Sequence, residues 1–208
     1  MKLIYNLFFS LFLVGGFLLA QEKSPFLAQP KLKFYGSLPS SFGDNMLGEA
    51  HDGKMGFGIS VSPFSIYNFN IGVGFDFTQY DVTEVSLAGN IDRSELMIVY
   101  GFVSYPIELG EKFAIEPKLG AGGTKLRQKT SSENLGNMKG FSFLIGTDLE
   151  YKIIQPLSVF LGADFIHSSY NIQAHPENEK FFDRSQVLNI HLGLKFNLFK
   201  AKSEMDTN

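Results

Sequence analysis

One cluster in the sequence has residue types suited to nucleophilic hydrolysis: His167-Ser168-Ser169, followed by Glu177 and Glu179. A serine hydroxyl becomes a nucleophile when an imidazole takes its proton and a carboxylate orients the imidazole. Alternate residues of an extended strand share a face, so His167 and Ser169 would stand side by side, with Glu177 or Glu179 as the acid. The same residues also read as a polar patch that leads into a loop. The other histidines suggest less. His51 lies beside Glu49 and Asp52, but without the spacing of a metal site it reads as a solvated loop residue. His175 precedes Pro176 in another polar stretch. The chain has no Cys, which excludes disulfides, thiolate catalysis and Cys-based metal centres. Gly120-Ala121-Gly122-Gly123 falls inside a strand pattern, where small residues allow close packing, so it is not a phosphate-cradling loop. No metal and no cofactor is expected.

The elements that must position these residues follow from composition and periodicity. The chain has 208 residues, a net charge of −3, 22 Phe, 8 Tyr, 21 Gly and no Trp. That charge is too small to suggest nucleic acid as a partner. Aromatic residues favour strands and glycine breaks helices, so the composition points to β structure. Residues 1–20 read as a signal peptide: Lys2, an apolar run over 7–19, and Ala20 before the expected cut. Leu18, three residues before the cut, departs from the small-residue preference. Residues 21–30 form a polar lead-in with two prolines. The domain follows over 31–199, and 200–208 form a tail.

From Lys31 onward the pattern is period-two alternation. It predicts eight strands, at 31–41, 55–63, 69–80, 93–106, 112–127, 139–153, 157–170 and 185–199. The connections alternate in length. Those at 63–68, 107–111 and 154–156 are tight, whereas 42–54, 81–92, 128–138 and 171–184 are long and polar. In an up-and-down barrel every second connection lies at the same end, and outer-membrane barrels have short periplasmic turns and long external loops. This order predicts both termini on the periplasmic side.

Each strand presents two unlike faces. The last strand sets Leu188, Ile190, Leu192, Leu194, Phe196 and Leu198 against Asn189, His191, Gly193, Lys195 and Asn197. The third sets Phe69, Ile71, Val73, Phe75 and Phe77 against Asn70, Gly72, Gly74, Asp76 and Thr78. The fourth is read with Leu96, Ile98, Tyr100 and Phe102 on its apolar side. The polar faces carry small residues and charges of both signs: Asp76, Glu116, Lys118, Asp148, Glu150, Asp164, His191 and Lys195. Small residues and paired charges suit the crowded interior of a narrow barrel, and large apolar side chains suit lipid outside. A filled interior is expected rather than an open, porin-like pore. Aromatics gather where membrane interfaces would lie: Tyr67, Phe69, Tyr105, Phe113, Tyr151, Phe196 and Phe199 near the short turns, Tyr80 and Tyr170 near the long loops.

The chain after residue 20 resembles the small eight-stranded outer-membrane proteins of the OmpA and OmpX type. The most specific local match is His191-Leu-Gly193-Leu-Lys-Phe196-Asn-Leu198, which resembles the terminal-strand signal read by the barrel-assembly machinery, with Leu198 where an aromatic is usual. The resemblance implies a cell-envelope protein of a Gram-negative bacterium, in contact with outer-membrane lipids, lipopolysaccharide and that machinery. Enzymes also use this scaffold. The His-x-Ser pair resembles that of lipid A 3-O-deacylases of the PagL type, which would make His167, Ser169 and Glu179 the catalytic set of an esterase. Two features differ from that family: Tyr170 intervenes before Asn171, and an Asn-Pro-Gly-like loop is absent.

The sequence thus predicts an all-β, eight-stranded antiparallel up-and-down transmembrane barrel. Its leading function is structural or interaction-bearing, with an unidentified ligand on loops 42–54 and 171–184. The alternatives are a lipid A-modifying hydrolase using His167 and Ser169, and a soluble lipocalin-like lipid carrier.

Overall fold

The computed structural model describes residues 26–130, 133–172 and 179–198. Residues 1–25, which hold the expected signal peptide, lie outside them, as do Phe199 and the tail. Eight long strands account for most of the described chain: β1 (Lys31–Phe42), β2 (His51–Ile66), β3 (Phe69–Val82), β4 (Arg93–Ser104), β5 (Phe113–Lys129), β6 (Asn134–Ile154), β7 (Leu157–Asn171) and β8 (Arg184–Asn197). Each pairs antiparallel with its neighbours in the chain, and β8 pairs with β1 from Gln186↔Phe42 to Asn197↔Lys31. The sheet is therefore a closed up-and-down barrel with no free edge. Two-residue strands at Phe26–Leu27 and Ile107–Glu108 add to β2 and β5 at the short-turn end.

Most strands run further than the alternation predicts toward the long loops, whereas β4 and β8 stop two residues short of their expected ends at the short-turn side. β2 begins at His51 rather than residue 55, and β6 begins at Asn134 rather than residue 139. Pro63 does not end β2. A register shift between Val61 and Phe64 absorbs it, and the strand continues to Ile66. The turn that follows places Tyr67 and Asn68 at positive φ (49° and 68°), as tight hairpin turns require.

Three short helices sit at the loop end: α1 (Met46–Ala50), α2 (Val85–Ala88) and α3 (Glu179–Phe182). Asn45 caps α1, its side chain accepting from the Gly48 amide at 2.9 Å. The residues expected to form an open loop at 42–54 therefore fold inward, and Met46 and Leu47 are buried in the barrel mouth.

Outward-facing side chains form an apolar belt. Val73, Val99, Leu119, Phe143, Ile145, Leu161, Ile190 and Leu192 all project from the wall and are exposed. Phe75 faces outward too, packed beside Phe57 at 6.2 Å between ring centres. Aromatic pairs mark the short-turn rim: Phe69 with Tyr105 at 4.9 Å, and Phe113 with Tyr151 at 5.1 Å.

Two expectations about facing are overturned. Leu96, Ile98, Tyr100 and Phe102 point into the barrel, and the outward face of β4 is Met97, Val99, Gly101 and Val103. Both faces of β4 are largely apolar, so its own alternation does not say which is inside. Its partners do: Gly72 and Gly74 of β3 lie opposite Phe102 and Tyr100. A Cβ at Gly74 would stand 2.4 Å from the Tyr100 ring, and one at Gly72 would stand 2.6 Å from that of Phe102. The glycines are the notches that admit those rings. Tyr80 and Tyr170 also point inward, fully or almost fully buried, and do not form an external girdle. The outward aromatics toward the loop end are phenylalanines, including Phe42 and Phe165, paired at 6.0 Å.

Candidate functional site

The barrel interior has two layers. Toward the loops, Tyr80, Leu96, Ile98, Leu126, Leu144, Ile166, Tyr170 and Val187 pack together with Met46 and Leu47 of α1 as an apolar plug. Phe181 and Phe182 of α3 pack against it. Toward the short turns the interior is ionic. Lys33 contacts Glu116 at 2.9 Å and Asp148 at 2.6 Å, and Lys195 contacts Glu116 at 3.0 Å and Glu150 at 2.5 Å. Lys118 contacts Asp164 at 2.9 Å, and His191 Nε2 lies 2.8 Å from Asp148 Oδ1. Glu116 also accepts from Asn70 at 2.9 Å and from Ser104 at 2.6 Å. Tyr35 donates to Asp76 and lies 3.1 Å from the Tyr100 hydroxyl.

The structure thus brings together all eight residues that the sequence assigns to the interior: Asp76, Glu116, Lys118, Asp148, Glu150, Asp164, His191 and Lys195, each at least nine-tenths buried. Asn70, which the alternation also puts on the polar face, belongs to the same network, as do Lys33, Tyr35 and Ser104, which the sequence did not single out. Lys33 and Tyr35 share the parity that places Ser37 inside β1, so the alternation of that strand could have found them. Asp148, Asp164 and His191 lie close enough to resemble a metal cluster. However, the Lys33 and Lys118 ammonium groups already hold the two carboxylates, supplying the positive charge a cation would bring.

Gly193 of the assembly-signal motif is required by packing. A Cβ there would stand 2.2 Å from the Phe34 carbonyl oxygen and 2.6 Å from Tyr35 Cβ. Phe196 packs edge-on against Phe34 at 6.4 Å, and Leu198 is half exposed just past the end of β8.

The hydrolase residues are only partly juxtaposed. His167 and Ser169 both face outward near the loop-end rim of β7, as their spacing predicts, whereas Ser168 faces inward and meets Ser142 at 2.6 Å. Among the described residues no hydrogen bond or ion pair joins His167 to Ser169 or to a carboxylate. Glu177 and His175 lie outside the described residues, as does the side chain of Glu179. His51, expected in a solvated loop, is instead buried at the mouth. Its Nδ1 lies 3.0 Å from the Met46 carbonyl, and its Nε2 lies 2.8 Å from Ser94 Oγ. Burial pushes its pKa below the ordinary histidine value, against a smaller opposing pull from the Met46 carbonyl.

No known protein-family model matches the chain, and no curated protein matches its sequence. Solved structures do match. Neisserial surface protein A is similar with a TM-score of 0.55 at 15% identity, covering 84% of this chain and 98% of that one. Ail of Yersinia pestis, in complex with the heparin analogue sucrose octasulfate, is similar at 0.50 and 13%, covering 82% and 99%. A major outer membrane protein of Thermus thermophilus is similar at 0.50 and 15%, covering 80% and 98%. At these identities the likeness is one of fold. The chain has the architecture of a small eight-stranded outer-membrane barrel.

Proposed function

We propose that this chain is an outer-membrane barrel with a structural or recognition role, its lumen closed and its contacts made at the loop end. The observation that carries the reading is the sidedness of the wall. Apolar side chains project outward around the cylinder, while charged and polar side chains meet inside it. Hydrocarbon demands this arrangement, because a closed barrel satisfies every backbone group and keeps charge off the lipid face. A lipocalin-like carrier would need the reverse, a wetted wall and an apolar cavity. The reading places the signal peptide at residues 1–20, both termini in the periplasm and the long loops outside. It makes lipopolysaccharide a neighbour and the barrel-assembly machinery the reader of His191, Gly193, Phe196 and Leu198.

β5 and β6 have 17 and 21 residues, whereas a spanning strand needs about 9–11. Their hairpin therefore stands well clear of the belt and, among the described residues, offers a projecting surface for a partner. The test is migration of the membrane-extracted protein on a denaturing gel before and after boiling. A folded barrel should run as a distinct faster band until boiled. One unchanging band, with the protein recovered in the soluble periplasmic fraction, would sink the reading.

A further inference from the structure

Cations near the loop-end rim are not distributed evenly around carboxylates. On the outer wall of β4, β5 and β6, Arg93, Lys125, Arg127, Lys129 and Lys139 share one neighbourhood. Glu95 draws three of them, Arg93 at 3.8 Å, Arg127 at 3.7 Å and Lys129 at 2.6 Å. Lys125 and Lys139 are direct partners across β5 and β6, and both face outward. Side chains so placed have Cβ atoms about 4.5–5.5 Å apart, and like charges in that relation destabilise the sheet unless something sits between them. No described carboxylate is in ion-pair contact with either lysine.

The wall beneath the two lysines is shaped as well as apolar. Gly123 lies between Val99 and Phe141, and Ala121 lies between Gly101 and Phe143. A Cβ at Gly123 would meet nothing within 4 Å, and one at Gly101 would meet nothing closer than 3.9 Å. A shallow furrow floored by Gly101, Ala121 and Gly123 thus rises through the belt and ends under a cation pair. Asn171, opposite Lys139, adds an amide donor at the same height.

We propose that Lys125 and Lys139 clamp the phosphate of a membrane glycolipid while one of its acyl chains lies in the furrow. The inference rests on the membrane reading above. An anionic headgroup supplies the charge the two lysines lack, and the furrow selects a lipid over a soluble anion. A lysine at a charged lipid surface contributes roughly fivefold in affinity, so the pair contributes roughly twenty-five-fold.

The experiment reconstitutes the mature chain in nanodiscs of phosphatidylcholine doped with bis-phosphorylated lipid A or with its dephosphorylated form. Native mass spectrometry then counts the glycolipid retained. The wild type should retain the phosphorylated form preferentially. Lys125→Gln/Lys139→Gln should lose most of that preference, Lys125→Arg/Lys139→Arg should keep it, and Lys54→Gln, a loop-end lysine paired with Asp81 at 2.8 Å, should leave it unchanged. Equal retention of both lipid forms, an unaffected double glutamine variant, or displacement by millimolar inorganic phosphate alone would overturn the clamp. Absence of any heat-modifiable band from the phosphatidylcholine discs would instead overturn the membrane reading. Should the double variant fail to fold, each single glutamine variant carries the same test, with a loss of roughly fivefold expected.

Discussion

Glu116 is the residue on which the ionic layer turns. It takes two ammonium groups on one oxygen and an amide and a hydroxyl on the other, from β1, β3, β4 and β8. Buried ion pairs add little net stability over a packed apolar pair, but removing one partner leaves the other charge buried without compensation. Glu116→Gln should therefore cost about 3–5 kcal/mol, read by urea titration of the vesicle-inserted protein. Glu116→Asp should cost less, because the charge survives. Sequence parity was enough to place Glu116, Asp148 and Lys195 in one lumen. It could not say which lysine meets which acid, because those contacts span 45 to 115 residues and are fixed by barrel stagger.

Among the elements, α1 shows where sequence reading stops. Strands announce themselves by alternation, and β3, β7 and β8 lie within two residues of their expected ends. A five-residue helix has too few turns to show a period. Residues 43–50 therefore read as an exposed loop, although Met46 and Leu47 complete the core. The assignment of β4 failed for a related reason: a strand apolar on both sides needs its partners' glycines to be oriented. His51 fastens α1 above the belt, and its titration should be visible. Because burial lowers its folded pKa, the unfolded state binds the proton more tightly. The contribution of His51 is complete above the ordinary value of 6.5 and declines as pH falls below it, until the folded value is reached. Amide-exchange protection over Met46–Ala50, after correction for the intrinsic pH dependence of exchange, should fall between about pH 7.5 and about pH 5, and His51→Asn should remove that fall.

At the scale of the molecule, the fold was legible because three independent signals agree: period-two alternation, long and short connections in turn, and opposite chemistry on the two faces. The state of the lumen was less legible, since polar parity alone fits a channel as well as a filled core. The structure decides it. An apolar layer crosses the cylinder under α1, above an ionic layer in which Lys33, Lys118 and Lys195 pair with Glu116, Asp148, Glu150 and Asp164, while Tyr35 donates to Asp76. Purified protein in planar bilayers should show no steady single-channel conductance, and regular current steps that scale with salt would contradict the closed lumen.

The two rims also differ: paired aromatics encircle the short-turn end, while Arg93, Lys125, Arg127, Lys129 and Lys139 gather on one side of the other. Such a cylinder has a built-in top and bottom. A bilayer with unlike leaflets therefore does not hold it equally well both ways up: in the proposed orientation the five cations face the outer leaflet, and an inverted copy would set the aromatic rim there instead.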